Sequence, residues 1–108
     1  MSSDSPIKNQ NHIHTEVRDM SITHANFLRS MIPLKKYYDY IVDKSNTRIL
    51  INDESRQVQL NLGPETKRHL GSFQLTKVDV EFVFSNFNKS DLEIFWKRFD
   101  LSFRRGGG

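Results

Sequence analysis

The sequence predicts a two-layer α+β domain, in which a short N-terminal helix and a C-terminal amphipathic helix lie on one face of an antiparallel meander of four to five strands. Three observations carry this expectation: apolar–polar alternation over residues 57–62 and 77–82, an apolar stripe at helical period from Leu92 to Phe103, and short polar turns between the strand-like runs. At 108 residues there is room for one hydrophobic core and not two.

Residues 1–20 open rich in Ser, Asn and Asp, with few aliphatic side chains and no period, so they are expected to form a disordered tail. The single domain is then expected over 21–105, followed by a flexible glycine tail at 106–108. From Ser21, a suitable N-cap, the residues Ile22, Ala25, Leu28, Met31 and Ile32 recur at three- and four-residue spacing, which predicts the first helix. Pro33 ends it, because a proline cannot continue an α-helix and restricts the residue before it.

Tyr38, Tyr40 and Val42 alternate as a strand, and Asp43-Lys44-Ser45-Asn46 supplies turn formers. A strand over Thr47–Asn52 follows, with Ile49 and Ile51 on one face; Asp53–Arg56 makes the next turn. Val58, Leu60 and Leu62 alternate with Gln57, Gln59 and Asn61, the pattern of a strand buried on one face, and Gly63-Pro64 closes it. An extended stretch from Arg68 to Leu75 contains Gly71 as a bulge or bend. The longest strand is Thr76–Ser85, with Val78, Val80, Phe82 and Phe84 facing inward. The last helix is expected from about Asp91 to Phe103, started by a capping box in Ser90-Asp91-Leu92-Glu93. Leu92, Phe95, Trp96, Phe99 and Phe103 form its inward stripe, and Gly106 offers a left-handed cap.

The chain lacks cysteine, which removes disulfides, zinc–thiolate sites, iron–sulfur clusters and thiol catalysis. No apolar run approaches the roughly 18 residues that span a bilayer, so a cytoplasmic protein without a membrane partner is expected. Sixteen Lys and Arg against 13 Asp and Glu give a net charge of +3, and the cations are interspersed with acids. His12 and His14 are two apart and His24 and His69 are single, which is too little for a metal set or a catalytic triad. Asp79 and Glu81 share a strand face with Lys77, the pattern of a solvated charge ladder. The glycines lack the spacing of a phosphate-binding loop. A non-enzymatic chain without a cofactor is therefore expected.

Three binding readings remain. On the last helix Ile94 and Leu101 lie one heptad apart, opposite Phe95 and Phe99, and Lys97, Arg98, Arg104 and Arg105 flank them. This strip is the expected contact surface for a protein partner or a second copy. Lys67-Arg68-His69 and Arg104-Arg105, with Tyr37, Tyr38 and Tyr40 as stacking faces, give a weaker nucleic-acid reading. Finally, Arg105 to Gly108 resembles the end of ubiquitin-like and sulfur-carrier proteins, which implies Gly107 and Gly108 as a carrier terminus, although a helix rather than a strand precedes them here. Over residues 20–108, the runs Thr23-His24-Ala25-Asn26-Phe27-Leu28-Arg29, His69-Leu70-Gly71-Ser72 and Arg98-Phe99-Asp100 to the Arg-Gly-Gly-Gly end resemble a group of short bacterial α+β proteins with no assigned function. That resemblance implies no activity.

Overall fold

The computed structural model describes residues 12–106. Its elements are β1 (Ile13–Met20), α1 (His24–Met31), a 3-10 segment (Ile32–Lys36), β2 (Asp39–Val42), β3 (Arg48–Asp53), β4 (Arg56–Leu62), β5 (Thr66–Leu70), β6 (Phe73–Ser85) and α2 (Lys89–Gly106). The class is α+β, with six strands among the described residues where four to five were expected; the strand order is β1-β6-β4-β3-β2, with β5 paired to β6. All pairings are antiparallel. The meander holds for β2-β3-β4, while β6 lies between β4 and the edge strand β1.

The largest correction concerns the N-terminal tail. Residues 13–20 form strand β1, in unbroken register with β6 from Ile13 opposite Ser85 to Met20 opposite Val78. Residues 1–11 lie outside the described part. β1 escapes a hydrophobicity reading because its pattern is inverted. Ile13 and Val17 point to the open face, while His14, Glu16 and Arg18 stand on the side of β6 that carries Phe84, Phe82 and Val80. Inward-pointing charge on an edge strand is also a known guard against pairing with a further strand.

Gly63, Pro64 and Glu65 span the length that Asp79 and Val78 span on β6, because Leu62 opposes Val80 and Thr66 opposes Lys77. The surplus residue makes a bulge, a place where a sheet tolerates proline. Beyond it β5 and the start of β6 run on as a two-stranded ribbon with none of residues 66–77 buried. Gly71, expected as a bulge or bend within one extended stretch, instead sits in the ribbon's turn at φ +62°, where a residue without Cβ carries no strain.

Both helix starts move. α1 is capped by Thr23, whose Oγ1 accepts the Asn26 N–H at 3.1 Å, and not by Ser21. Its α-helical hydrogen bonding gives way at Pro33, as expected, but a 3-10 turn carries the chain on to Lys36. α2 is capped two residues earlier than expected: Asn88 Oδ1 accepts the Asp91 N–H at 2.8 Å and Asp91 Oδ2 accepts the Asn88 N–H at 3.0 Å. Ser90 and Glu93 are exposed inside the helix. Arg56 selects this register, since its guanidinium holds Asp91 at 3.0 Å and Asp53 at 3.1 Å. Burial works against the charge on Arg56, but the two carboxylates more than offset it and hold the guanidinium more basic than usual. α2 extends through Gly106 rather than ending before it.

The core lies between the helices and one sheet face. Phe27, Met31 and Leu34 meet Phe95 and Phe99 over Ile49, Ile51, Val58, Leu60, Val80, Phe82 and Phe84, all at most 1% exposed. The aromatic rings meet edge to face, Phe82 against Phe99 at 5.2 Å and Phe84 against Phe95 at 5.2 Å. Each ring so placed contributes about 1.5–3 kcal/mol from burial, with about 0.5–1.5 kcal/mol more for a favourable pair. Leu92, Trp96 and Phe103 complete the expected stripe from half-buried positions. Among the described residues no helix packs on the opposite face of the sheet, which mixes polar rungs, such as Lys77 to Asp79 at 2.9 Å and Asn61 to Glu81 at 2.9 Å, with the exposed apolar side chains of Ile13, Val17 and Ile41.

Candidate functional site

The outer side of α2 faces solvent along one edge and the 3-10 segment along the other. The two helical layers are drawn together by small residues: Ser102 Oγ donates to the Ser30 carbonyl at 2.5 Å in a buried contact. That close approach brings the 3-10 segment beside the middle of α2, which positions Pro33, Lys36 and Tyr37 against Lys97, Arg98 and Leu101 around a hollow of about 190 Å³.

Of the residues expected as a contact strip, Ile94 and Leu101 are 46% and 47% exposed. They do not form one continuous apolar strip. Arg98 lies between them and folds across the 3-10 junction, with its guanidinium carbon 4.3 Å from the Tyr37 ring centre and 5.4 Å from that of Tyr38. Leu101 therefore belongs to the hollow beside Tyr37, and Ile94 to a second depression of about 250 Å³ with Tyr38, Phe87 and the Asp53–Arg56–Asp91 cluster. Arg104 turns to the other flank of the helix, where it borders a hollow with Asp19 and Phe103. The side chain of Arg105 and the expected carrier terminus, Gly107 and Gly108, lie outside the described residues.

Sequence reasoning missed the half of this site that comes from the 3-10 segment. Tyr37, taken for a stacking face near a strand, is the 48%-exposed wall of the hollow, whereas its neighbour Tyr38 enters the core at 5% exposure. Lys35 stands 5.4 Å above the Tyr40 ring and Lys36 stands 5.8 Å from that of Tyr37. Partial burial pushes the Tyr40 phenol up from its ordinary pKa, so the ring stays neutral beneath that ammonium. The one signal available in the sequence is that Lys35-Lys36-Tyr37 come within four residues of the helix-ending Pro33, which keeps them off the strand that follows.

Cations without an ion-pair partner among the described residues are common in this chain, Arg29, Lys44, Arg48, Lys67, Lys89 and Arg104 included, but here several of them surround one hollow. Among the described residues Arg18, Arg56, Arg68 and Lys77 each have a carboxylate partner. Lys35, Lys36, Lys97 and Arg98 have none. An apolar hollow ringed by uncompensated cations can accept an apolar group that carries negative charge.

The histidines are placed as follows. His12 is exposed ahead of β1, and His14 contacts Glu16 at 2.7 Å across one side of that strand. His24 Nε2 contacts the Gly63 carbonyl at 2.7 Å, and His69 is exposed on the ribbon. Among the described residues no three His, Asp or Glu side chains gather as a metal set, and no helix is long and apolar enough to cross a membrane. No protein-family model matches the chain, and no curated protein or solved structure is detectably similar to it.

Proposed function

We propose that the chain is a non-enzymatic interaction module, working in the cytoplasm, that meets another protein through the outer side of α2. The observation that carries this reading is the paired exposure of Ile94 and Leu101, 46% and 47%, on a helix whose other side is fully committed to the core. Each side chain is about half exposed and borders a depression that a partner would fill. A twofold homodimer through this face would set Lys97 and Arg98 of one copy against those of the other, and like charges brought together in an interface cost affinity. A different partner chain fits better than a second copy.

The test is a double substitution, Ile94→Gln with Leu101→Gln. Because both are surface positions, stability should change by no more than about 0.5 kcal/mol each in urea unfolding. Proteins recovered with the wild-type chain from its native cells, captured with the C-terminus untagged, should drop in abundance by about tenfold, which corresponds to about 1.4 kcal/mol. An unchanged partner profile and unchanged hydrodynamic mass would overturn the reading.

A further inference from the structure

We infer that the hollow between the 3-10 segment and α2 receives an acidic protein segment, one apolar side chain of which enters the hollow while flanking carboxylates meet Lys36, Lys97 and Arg98. This rests on the reading of α2 as the contact face and adds the chemistry of the partner.

The size of the hollow sets the anchor. About 190 Å³ bounded by Pro33, Tyr37 and Leu101 is of the order that admits the six-carbon ring of one Phe side chain, since an apolar cavity of about 150 Å³ takes benzene. Buried polar demand inside it is small: Ser102 has already spent its hydroxyl on the Ser30 carbonyl. The rim sets the charge. Lys36 and Lys97 approach from the two sides, and neither has a carboxylate partner among the described residues. Arg98 rests against Tyr37, its guanidinium carbon 4.3 Å from the ring centre, which restrains it before a ligand arrives. A guanidinium restrained in advance gives up less rotamer freedom when it pairs with a carboxylate.

The same contact argues against a nucleic acid. Base recognition without sequence readout needs a free aromatic face, and the face of Tyr37 beside the hollow is occupied by Arg98. The cations also cluster around one hollow instead of extending as a track along which successive phosphates could lie.

The experiment uses the full chain and a fluorescent peptide with Phe at its centre and two acidic residues on each side, followed by anisotropy. Saturable binding is expected, weakened at least tenfold by Lys36→Glu with Lys97→Glu and again by Leu101→Glu. It should fall steeply as salt is raised, and a peptide with Lys in place of the acids should not bind. Circular dichroism checks that the variants are folded. Equal binding of the Lys peptide, indifference to the charge reversals, or tighter binding of a single-stranded oligonucleotide would each overturn the inference. If the acidic peptide fails while Ile94→Gln with Leu101→Gln still abolishes partner recovery, the contact face stands and this partner chemistry falls. If that double substitution leaves partner recovery unchanged, the contact-face reading falls and takes this inference with it.

Discussion

Arg18 lies over Trp96, its guanidinium carbon 3.7 Å from the ring centre, and Asp100 holds it there through a 2.9 Å ion pair. The contact joins β1, at the sheet edge, to α2, more than 70 residues later, and Glu16 supports it by accepting from Trp96 Nε1 at 3.3 Å. β1 has little aliphatic side chain to bury, so this polar and aromatic seam replaces part of the apolar contact that a central strand would make. Arg18→Ala is expected to lower stability by about 1 kcal/mol, since the pair is partly exposed and such cation–π contacts contribute about 0.5–2 kcal/mol. Arg18→Lys keeps the charge but not the planar guanidinium and should recover only part of the loss. Urea unfolding followed by Trp96 emission reads both, and an Arg18→Ala curve superimposable on wild type would refute the role.

The cap of α2 gives a sharper test, because two registers compete. Asn88→Ala removes the acceptor for the Asp91 N–H and should cost about 1 kcal/mol, within the usual 0.5–2 range for a lost N-cap. Ser90→Ala, at an exposed position inside the helix, should shift stability by no more than about 0.5 kcal/mol. A reversed order in thermal or urea melts would return the cap to Ser90.

These two cases show what could be read from the residues and what could not. β4 and the second half of β6 were legible because Val58, Leu60, Leu62 and Val78, Val80, Phe82, Phe84 each place every second side chain in one core, and α2 was legible because Phe95 and Phe99 fall at helical period. β1 was not, because its inward row of His14, Glu16 and Arg18 is satisfied by residues of α2 and by β1 itself, a tertiary fact with no local period. The cap register was ambiguous in the same way: Asn88-x-x-Asp91 and Ser90-x-x-Glu93 both match the local pattern, and Arg56, from another element, decides between them. In the candidate site Ile94, Lys97, Arg98 and Leu101 were legible from the helical wheel. Lys36 and Tyr37 were not, because the 3-10 turn after Pro33 decides which side they face.

The turn from β2 to β3 carries a pH dependence with a definite sign. Asp43 accepts from Ser45 Oγ at 2.8 and 2.9 Å and from the Arg48 N–H at 3.2 Å, and Asn46 completes the turn at φ +62°. The Ser45 hydrogen bond, with backbone donors and Arg48 behind it, holds the Asp43 carboxyl below its ordinary pKa despite some desolvation. A carboxyl whose folded pKa lies below its unfolded one stabilises the turn above the unfolded value, and that contribution is lost as pH falls through the folded one. Carbon-detected NMR titration should therefore place the Asp43 midpoint below that of a free aspartate. Ser45→Ala should raise it, and the protection factors of the Asn46 and Thr47 amides, referred to the intrinsic exchange rate at each pH, should fall below about pH 4. A midpoint unmoved by Ser45→Ala would remove the hydroxyl as the cause.

The bulge that launches the ribbon is pinned by α1, and this yields a prediction about local rather than global stability. His24 Nε2 meets the Gly63 carbonyl at 2.7 Å, and Glu65 accepts the His24 backbone N–H at 2.8 Å, so the start of α1 and the bulge satisfy one another's polar groups. Gly63 is itself confined: its N–H donates to the Asp79 carbonyl at 2.8 Å, and a Cβ there would sit 3.0 Å from that oxygen. Gly63→Ala must push two paired backbones apart and is expected to cost about 1–3 kcal/mol, the range for overpacking. His24→Ala leaves the Gly63 carbonyl without its side-chain partner and the root of the ribbon untethered. None of residues 66–77 is buried, and their other ties to the body of the domain are the exposed ion pairs of Arg68 and Lys77 with Asp19, which contribute little. Native-state amide exchange should then rise by about tenfold or more in β5 and the first residues of β6 under His24→Ala, while amides paired between β4 and β6 from Val58 to Leu62 change only with the global stability. Uniform acceleration across both groups would mean that the ribbon opens only when the whole domain unfolds, and that His24 does not act as its anchor.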